Sequence, residues 1–210
     1  MKDGEVCFQK GSAVRIHNNN IEGDTNNISL TPEFVGNNLC VGDILDLDFN
    51  SVKLEVVKVN KNSCDSIVLS SGMVGSNKAA DLNRDIVLPS ITPKDEKALE
   101  IGREMGIKHF ALSFAANKEG VDLFREKTTK DSYIISKIES RSGLINLSGI
   151  LESSDAILID RGDLSRQVPI EKIPFFQRRI ISTARSVDKK VFVATNLLES
   201  MVKSKFPTRA

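Results

Sequence analysis

The sequence predicts an α/β protein in two parts: a small antiparallel β domain over residues 1–90, then about four βα units over 91–210 that build a parallel sheet. Three observations carry this reading. Residues 1–90 hold 8 basic and 12 acidic side chains, net −4, whereas residues 91–210 hold 21 and 16, net +5. Asparagine falls from 12 residues in the first part to three in the second, while phenylalanine rises from three to seven. Finally, short apolar runs broken by Asn and Gly give way to Ile-, Val-, Ala- and Phe-rich runs alternating with amphipathic stretches, the signature of βα units.

In the first part, Ala13-Val14-Arg15-Ile16 precedes an Asn18-Asn19-Asn20 turn, and Ile44-Leu45-Asp46-Leu47 follows Gly42-Asp43. Val52-Lys53-Leu54-Glu55-Val56 alternates apolar and charged residues, and Ile67-Val68-Leu69 ends at Ser71-Gly72. Such runs, with turn residues between them, predict a small antiparallel β-barrel or sandwich.

The second part opens on a helix start. Thr92 can cap, Pro93 suits the first helical position and Asp95 favours the positive end. The pattern then predicts a helix to about Met105, a strand Phe110–Phe114, and a helix from Asn117. A strand Tyr133–Ile138, a helix from about Ser142, and a strand Ala156–Asp160 follow. A long helix from about Ile170 to Ser186, a strand Val191–Thr195 and a helix from about Leu197 complete it.

Composition excludes several function classes. With 29 Lys+Arg against 28 Asp+Glu the formal charge is +1, too balanced for a general nucleic-acid binder or a polybasic membrane protein. No apolar run approaches the ~20 residues of a membrane span, and no apolar stretch behind Met1-Lys2-Asp3 could serve as a secretory signal. Cys7, Cys40 and Cys64 form no paired spacing, so they are expected to be reduced thiols in a cytoplasmic protein. Without Cys-x-x-Cys, and with His17 and His109 far apart, zinc is excluded on spacing.

Ligands meet a βα sheet at the carboxyl ends of its strands. Those ends read Ser113-Phe114, Lys137-Ile138-Glu139, Arg161-Gly162-Asp163 and Ala194-Thr195, an unusually polar set. Lys137 and Glu139 are two apart, so a strand points them to one side. If the strands are neighbours, Asp163 comes beside Glu139. Two carboxylates and a lysine at one rim fit a divalent cation with a mobile proton or phosphoryl group nearby. Taken singly, the same motifs also read as a strand-end ion pair and an ordinary turn.

These residues carry a resemblance. Ile134-Ile135-Ser136-Lys137-Ile138-Glu139-Ser140-Arg141-Ser142-Gly143-Leu144 resembles the active-site signature of pyruvate kinases. Asp155-Ala156-Ile157-Leu158-Ile159-Asp160-Arg161-Gly162-Asp163-Leu164 resembles that family's metal-binding loop. Ala194-Thr195-Asn196-Leu197-Leu198-Glu199-Ser200-Met201, continued by Pro207-Thr208-Arg209-Ala210, resembles its threonine motif. Leu88-Pro89-Ser90-Ile91-Thr92-Pro93 resembles the return from the family's small β domain, and Val41-Gly42-Asp43-Ile44-Leu45 fits that domain.

The resemblance implies a partial TIM-type (β/α) barrel preceded by a β-barrel lid, and phosphoryl transfer between phosphoenolpyruvate and ADP giving pyruvate and ATP. It assigns Lys137 and Thr195 to catalysis, with Lys137, Gly162, Asp163 and Thr195 binding substrate and Glu139 and Asp163 binding Mg²⁺ or Mn²⁺. A family barrel has eight strands with the β domain inserted after the third. By that template, the strands bearing the K⁺ and nucleotide contacts, the last strand and a C-terminal domain lie outside this sequence. The expectation is a reduced turnover unless the chain pairs with a second copy or a completing chain. Asp160 stands where the family usually has a small residue, Ser165 where it has glycine, Asn196 where it has glutamine, and Ala116 where a basic residue is common. Two alternatives stay open: a binding or regulatory module without catalysis, and a magnesium-dependent pyruvate-type lyase or aldolase, whose loop Gly162-Asp163-Leu164-Ser165 also resembles.

Overall fold

The computed structural model describes residues 1, 4–48, 51–84, 86 and 89–194. The chain divides into two compact units, Met1–Leu88 and Pro89–Ala210.

The first unit contains β1 (Glu5–Phe8), β2 (Ala13–His17), β3 (Asn27–Ser29), a single helical turn α1 (Phe34–Asn37), β4 (Ile44–Leu47), β5 (Val52–Val59), β6 (Ser63–Ser70), β7 (Gly72–Gly75) and β8 (Ala80–Leu82). A six-stranded sheet runs in the order β3-β2-β6-β5-β4-β8, and β1 pairs with β7 in a second sheet. Period-two alternation decides the inner face: Val52, Leu54 and Val56 of β5 are buried while Lys53 and Glu55 are not. They join Phe8, Ile16, Leu45 and Val68 in one core. The antiparallel expectation fails at one pair, since β2 and β3 run parallel. The Asn-rich segment after His17 is no tight turn. It continues as a loop in which the Asp24 carboxylate accepts the Asn26 and Asn27 N–H groups at 2.8 Å each, and Arg15 N–H bonds the Asn26 carbonyl at 2.7 Å.

The second unit contains α2 (Pro93–Glu104), β9 (His109–Leu112), α3 (Lys118–Glu126), β10 (Tyr133–Ile138), α4 (Arg141–Ile145), α5 (Leu147–Ser153), β11 (Ala156–Asp160), α6 (Arg161–Gln167), a 3-10 turn Ile170–Lys172, α7 (Ile173–Ser186) and β12 (Lys190–Ala194). The four strands are parallel in the order β9-β10-β11-β12. This is an α/β fold whose curled sheet forms a half-barrel. Thr92 caps α2 in a reciprocal box with Asp95, and Asn117 caps α3 by accepting the Gly120 N–H. Ile134, Ile138, Ile157, Ile159, Leu164 and Ile180 are fully buried in the core.

The structure corrects four expectations in this unit. The strand expected to reach Phe114 ends at Leu112, because Phe114 adopts φ +50°, outside the extended region. The helix expected from Ser142 is two short ones, α4 and α5, meeting at Asn146, whose side chain turns away to donate to the Ala116 carbonyl at 2.8 Å. The long helix begins at Ile173 rather than Ile170, where Pro174 can enter only the first turn. Arg161-Gly162-Asp163, for which an ordinary turn is the plainer of the two readings, opens α6. Its local propensity is poor, and burying Leu164 completely is what settles the segment as a helix. The helix expected from Leu197 and the return at Leu88 lie outside the described residues.

Candidate metal and catalytic site

The site stands at the carboxyl rim of β10 and β11. Their register pairs Ile138 with Ile159, so the next residues, Glu139 and Asp160, meet side by side. Lys137 and Glu139 share a side of β10, as their spacing requires: Lys137 Nζ lies 2.5 Å from Glu139 Oε1. The same ammonium lies 3.5 Å from Asp160 Oδ2. One carboxylate oxygen from each of Glu139, Asp160 and Asp163 falls within 4.8 Å of the other two. Asp163 is in turn held by Arg166 Nη2 at 3.0 Å, one helical turn on.

The turn after β9 completes the setting. Ala115 N–H donates to the Lys137 carbonyl at 3.2 Å, and Phe114 N–H donates to Glu139 Oε2 at 2.6 Å. Gly143 allows the close approach of that turn to α4: a Cβ there would stand 2.8 Å from the Ala115 carbonyl oxygen. The Ser140 hydroxyl, accepting the Gly143 N–H at 3.1 Å, fixes the start of α4 just past Glu139.

Electrostatics follow from burial. The Glu139 side chain is 0% exposed. Burial pushes its carboxyl above the usual carboxylate range and the Asp163 charge adds to the rise, against the opposing Lys137 and Phe114 hydrogen bonds. Desolvation works against the Lys137 ammonium, yet the bonds and charges of Glu139 and Asp160 prevail and hold it above the ordinary lysine value. The pair is therefore a partly buried ion pair, its carboxylate fully covered, whose members each support the other's charge.

Lys137, Glu139, Asp163 and its neighbour Gly162 of α6 thus come to one rim, and Asp160 joins them. Thr195 lies outside the described residues. Two contributors escaped sequence reasoning. The Phe114 N–H is a backbone group with no compositional signal. Arg166 would have emerged from its three-residue spacing to Asp163 had the segment been read as helical.

The donor set is all oxygen, from three carboxylates. That suits a hard cation such as Mg²⁺ or Mn²⁺, which takes one or two carboxylates and completes its shell with substrate and water oxygens at ~2.1 Å. The residues fit such an ion. The chemistry available is charge stabilisation: an ammonium beside a cation-holding carboxylate cluster can neutralise negative charge developing on an oxygen-rich substrate.

A half-barrel with carboxylates and a lysine at its strand ends defines the class of (β/α)-barrel domains that gather polar groups at the carboxyl rim of the sheet. Comparison makes the class specific. The family model "Pyruvate kinase, barrel domain" matches residues 1–210, and the chain belongs to the pyruvate kinase family. It is 34% identical over 213 residues to a pyruvate kinase of Corynebacterium efficiens, covering 100% of this chain and 45% of the relative. The pyruvate kinase of Bacillus licheniformis is 32% identical over 217 residues, covering 100% and 37%. A crystal structure of a pyruvate kinase from Cryptosporidium parvum superposes with a TM-score of 0.78 at 30% identity, covering 98% of this chain and 44% of that one. The chain thus spans less than half the length of these relatives.

Proposed function

We propose that the second unit binds phosphoenolpyruvate or pyruvate through a divalent cation and serves phosphoryl transfer between phosphoenolpyruvate and ADP. The observation that supports this most is the convergence of Lys137, Glu139 and Asp163 at one rim, in a chain of the pyruvate kinase family. In this reading Glu139 and Asp163 hold Mg²⁺ or Mn²⁺, which when bound polarises the substrate oxygens and offsets phosphoryl charge. Lys137 adds its ammonium charge where the phosphoryl group leaves and the enolate develops. Gly162 and Asp163 border the substrate, and Thr195 contacts it. K⁺ belongs to the same reading, as do a second copy or a completing chain as partners.

Among the described residues no helix is long and apolar enough to cross a membrane. One feature favours a second reading, a binding module without turnover: Lys137 is engaged by two carboxylates at once.

Calorimetric titration of phosphoenolpyruvate into the intact chain tests the first reading. Saturable binding is expected with Mg²⁺, lost on chelation and lost in Glu139→Gln. Binding indifferent to both the cation and Glu139 would overturn it.

A further inference from the structure

We propose that Arg141 and Gln167 are positioning residues for the rim: together they clasp the end of α6 to the start of α4 and so fix Asp163 relative to Glu139 for cation binding. The inference rests on the reading of the site given above and names a contact that sets its spacing.

The clasp is reciprocal. The Arg141 backbone N–H donates to Gln167 Oε1 at 3.0 Å, and Arg141 Nη2 donates to the Gln167 carbonyl oxygen at 3.1 Å. The two residues stand 26 positions apart, so neither bond comes from local chain geometry. Arg141 is the first residue of α4 and Gln167 the last of α6. The first N–H groups and last carbonyls of a helix have no partner within it. Each bond of the clasp satisfies one such group on one helix with a side chain from the other. The guanidinium also meets the negative end of α6, where a cation is favoured.

What the clasp joins is two segments that each carry a carboxylate of the rim. Glu139 lies just before Arg141, with Ser140 as the α4 cap between them. Asp163 lies one helical turn before Gln167. Each carboxylate is thus one short step from the same pair of bonds. The α6 helix needs the support. It is seven residues long and contains Gly162 and Ser165, too short and too weak in propensity to hold its course alone. Leu164, fully buried, fixes the depth of its middle. The bonds at Gln167 fix its direction, and with it the reach of Asp163. Contacts that orient metal ligands without touching the ion typically change metal affinity by roughly 10- to 100-fold when lost.

The test uses Mn²⁺ alone on the intact chain, its binding followed by electron paramagnetic resonance, with thermal melts alongside. Gln167→Met keeps the side-chain length and removes the acceptor. Arg141→Met removes the guanidinium from an exposed residue, so it serves even if the Gln167 variant fails to fold. Each is expected to weaken Mn²⁺ binding about tenfold. Deleting a positive charge near a cation site would by charge alone tighten binding, so weakening in Arg141→Met reports position rather than electrostatics. Gln167→Glu keeps an oxygen acceptor at the same reach and is expected to bind Mn²⁺ at least as tightly as the wild type. Melting temperatures that fall in the Met variants with Mn²⁺ affinity unchanged would make the clasp structural only and overturn the inference. A loss shared equally by Gln167→Met and Gln167→Glu would also overturn it. Glu139→Gln separates the inference from the site reading: loss of Mn²⁺ there leaves the site in place whatever the clasp variants do. Retention of Mn²⁺ by Glu139→Gln overturns the site reading and the inference with it.

Discussion

The Phe114 N–H donates to Glu139 Oε2 at 2.6 Å from a residue held at φ +50°. A non-glycine residue in the left-handed region carries strain of order 1–2 kcal/mol, and here the strained residue is the one that aims a backbone donor at the most buried carboxylate of the rim. Replacing Phe114 by Pro removes the N–H and imposes φ near −65°. Thermal melts should show Phe114→Pro destabilised by ~1.5–3 kcal/mol, the range for a lost hydrogen bond to a charged group, with Mn²⁺ affinity falling as well. Phe114→Gly keeps the donor and relieves the φ penalty, so it should retain Mn²⁺ affinity. Equal losses in the two variants would separate the donor from the site.

Gly143 controls the same turn from the opposite side. Its missing Cβ leaves room for the Ala115 carbonyl oxygen, which would stand 2.8 Å from an added methyl. A backbone atom cannot swing aside as a side-chain tip can. Gly143→Ala should therefore cost ~1–3 kcal/mol, as overpacked cores do, and should weaken Mn²⁺ binding by displacing the turn that carries the Phe114 donor. Wild-type stability and metal affinity in that variant would show that the turn accommodates the methyl without moving Glu139.

In the first unit, Asp43 offers a pH-dependent test of stability. Its carboxylate is buried, which alone would push it up. The Arg84 hydrogen bond at 2.7 Å, the Cys40 N–H at 2.7 Å and the Arg84 charge more than compensate, leaving it below the usual carboxylate range. A carboxyl depressed in the folded state contributes stability that is present above its unfolded value of ~3.9 and is lost as pH falls through the lower folded value. Asp43→Asn should thus lower the melting temperature of the intact chain at pH 7. The gap to wild type should close progressively below about pH 4. A gap of constant size down to pH 3 would assign the loss to packing rather than to ionisation.

Much of this was legible in the sequence because the signals were local. The Thr92-Pro93-Lys94-Asp95 start became the observed capping box, and the apolar runs Tyr133–Ile138 and Ala156–Asp160 became strands with those bounds. The Lys137–Glu139 spacing was enough to place both groups on one side of a strand. What the sequence hid depends on contacts distant along the chain. β1 and β7 are four residues each and pair across more than sixty residues, with Gly72 and Gly75 reading as turn. The parallel β2–β3 pair needs a register that alternation does not encode. The helix at Arg161 contains Gly, Asp and Ser, and it is the tertiary burial of Leu164 with the Asp163–Arg166 ion pair that favours it. Asp160 was visible as an extra acid, but its reach to Lys137 follows from the register of two strands.

The remaining prediction concerns the proton of an enolate. Removing a methyl proton from pyruvate places negative charge on the carbonyl oxygen, and a preorganised ammonium lowers the cost of that charge most where water is scarce. Lys137 is 22% exposed on its side chain, so its field is only partly screened. Its position is fixed by β10, not by a loop. The nucleotide takes no part in this step, which isolates the rim from every other requirement of phosphoryl transfer. Proton NMR of pyruvate in D₂O should therefore show Mg²⁺-dependent exchange of the methyl protons in the presence of the chain. Lys137→Met, which keeps the length of the side chain and removes its charge, should reduce exchange to that of Mg²⁺ alone, while Mn²⁺ binding by Glu139 and Asp163 persists. Exchange by the wild-type chain no faster than the metal-only control would move the assignment from enzyme to binding module.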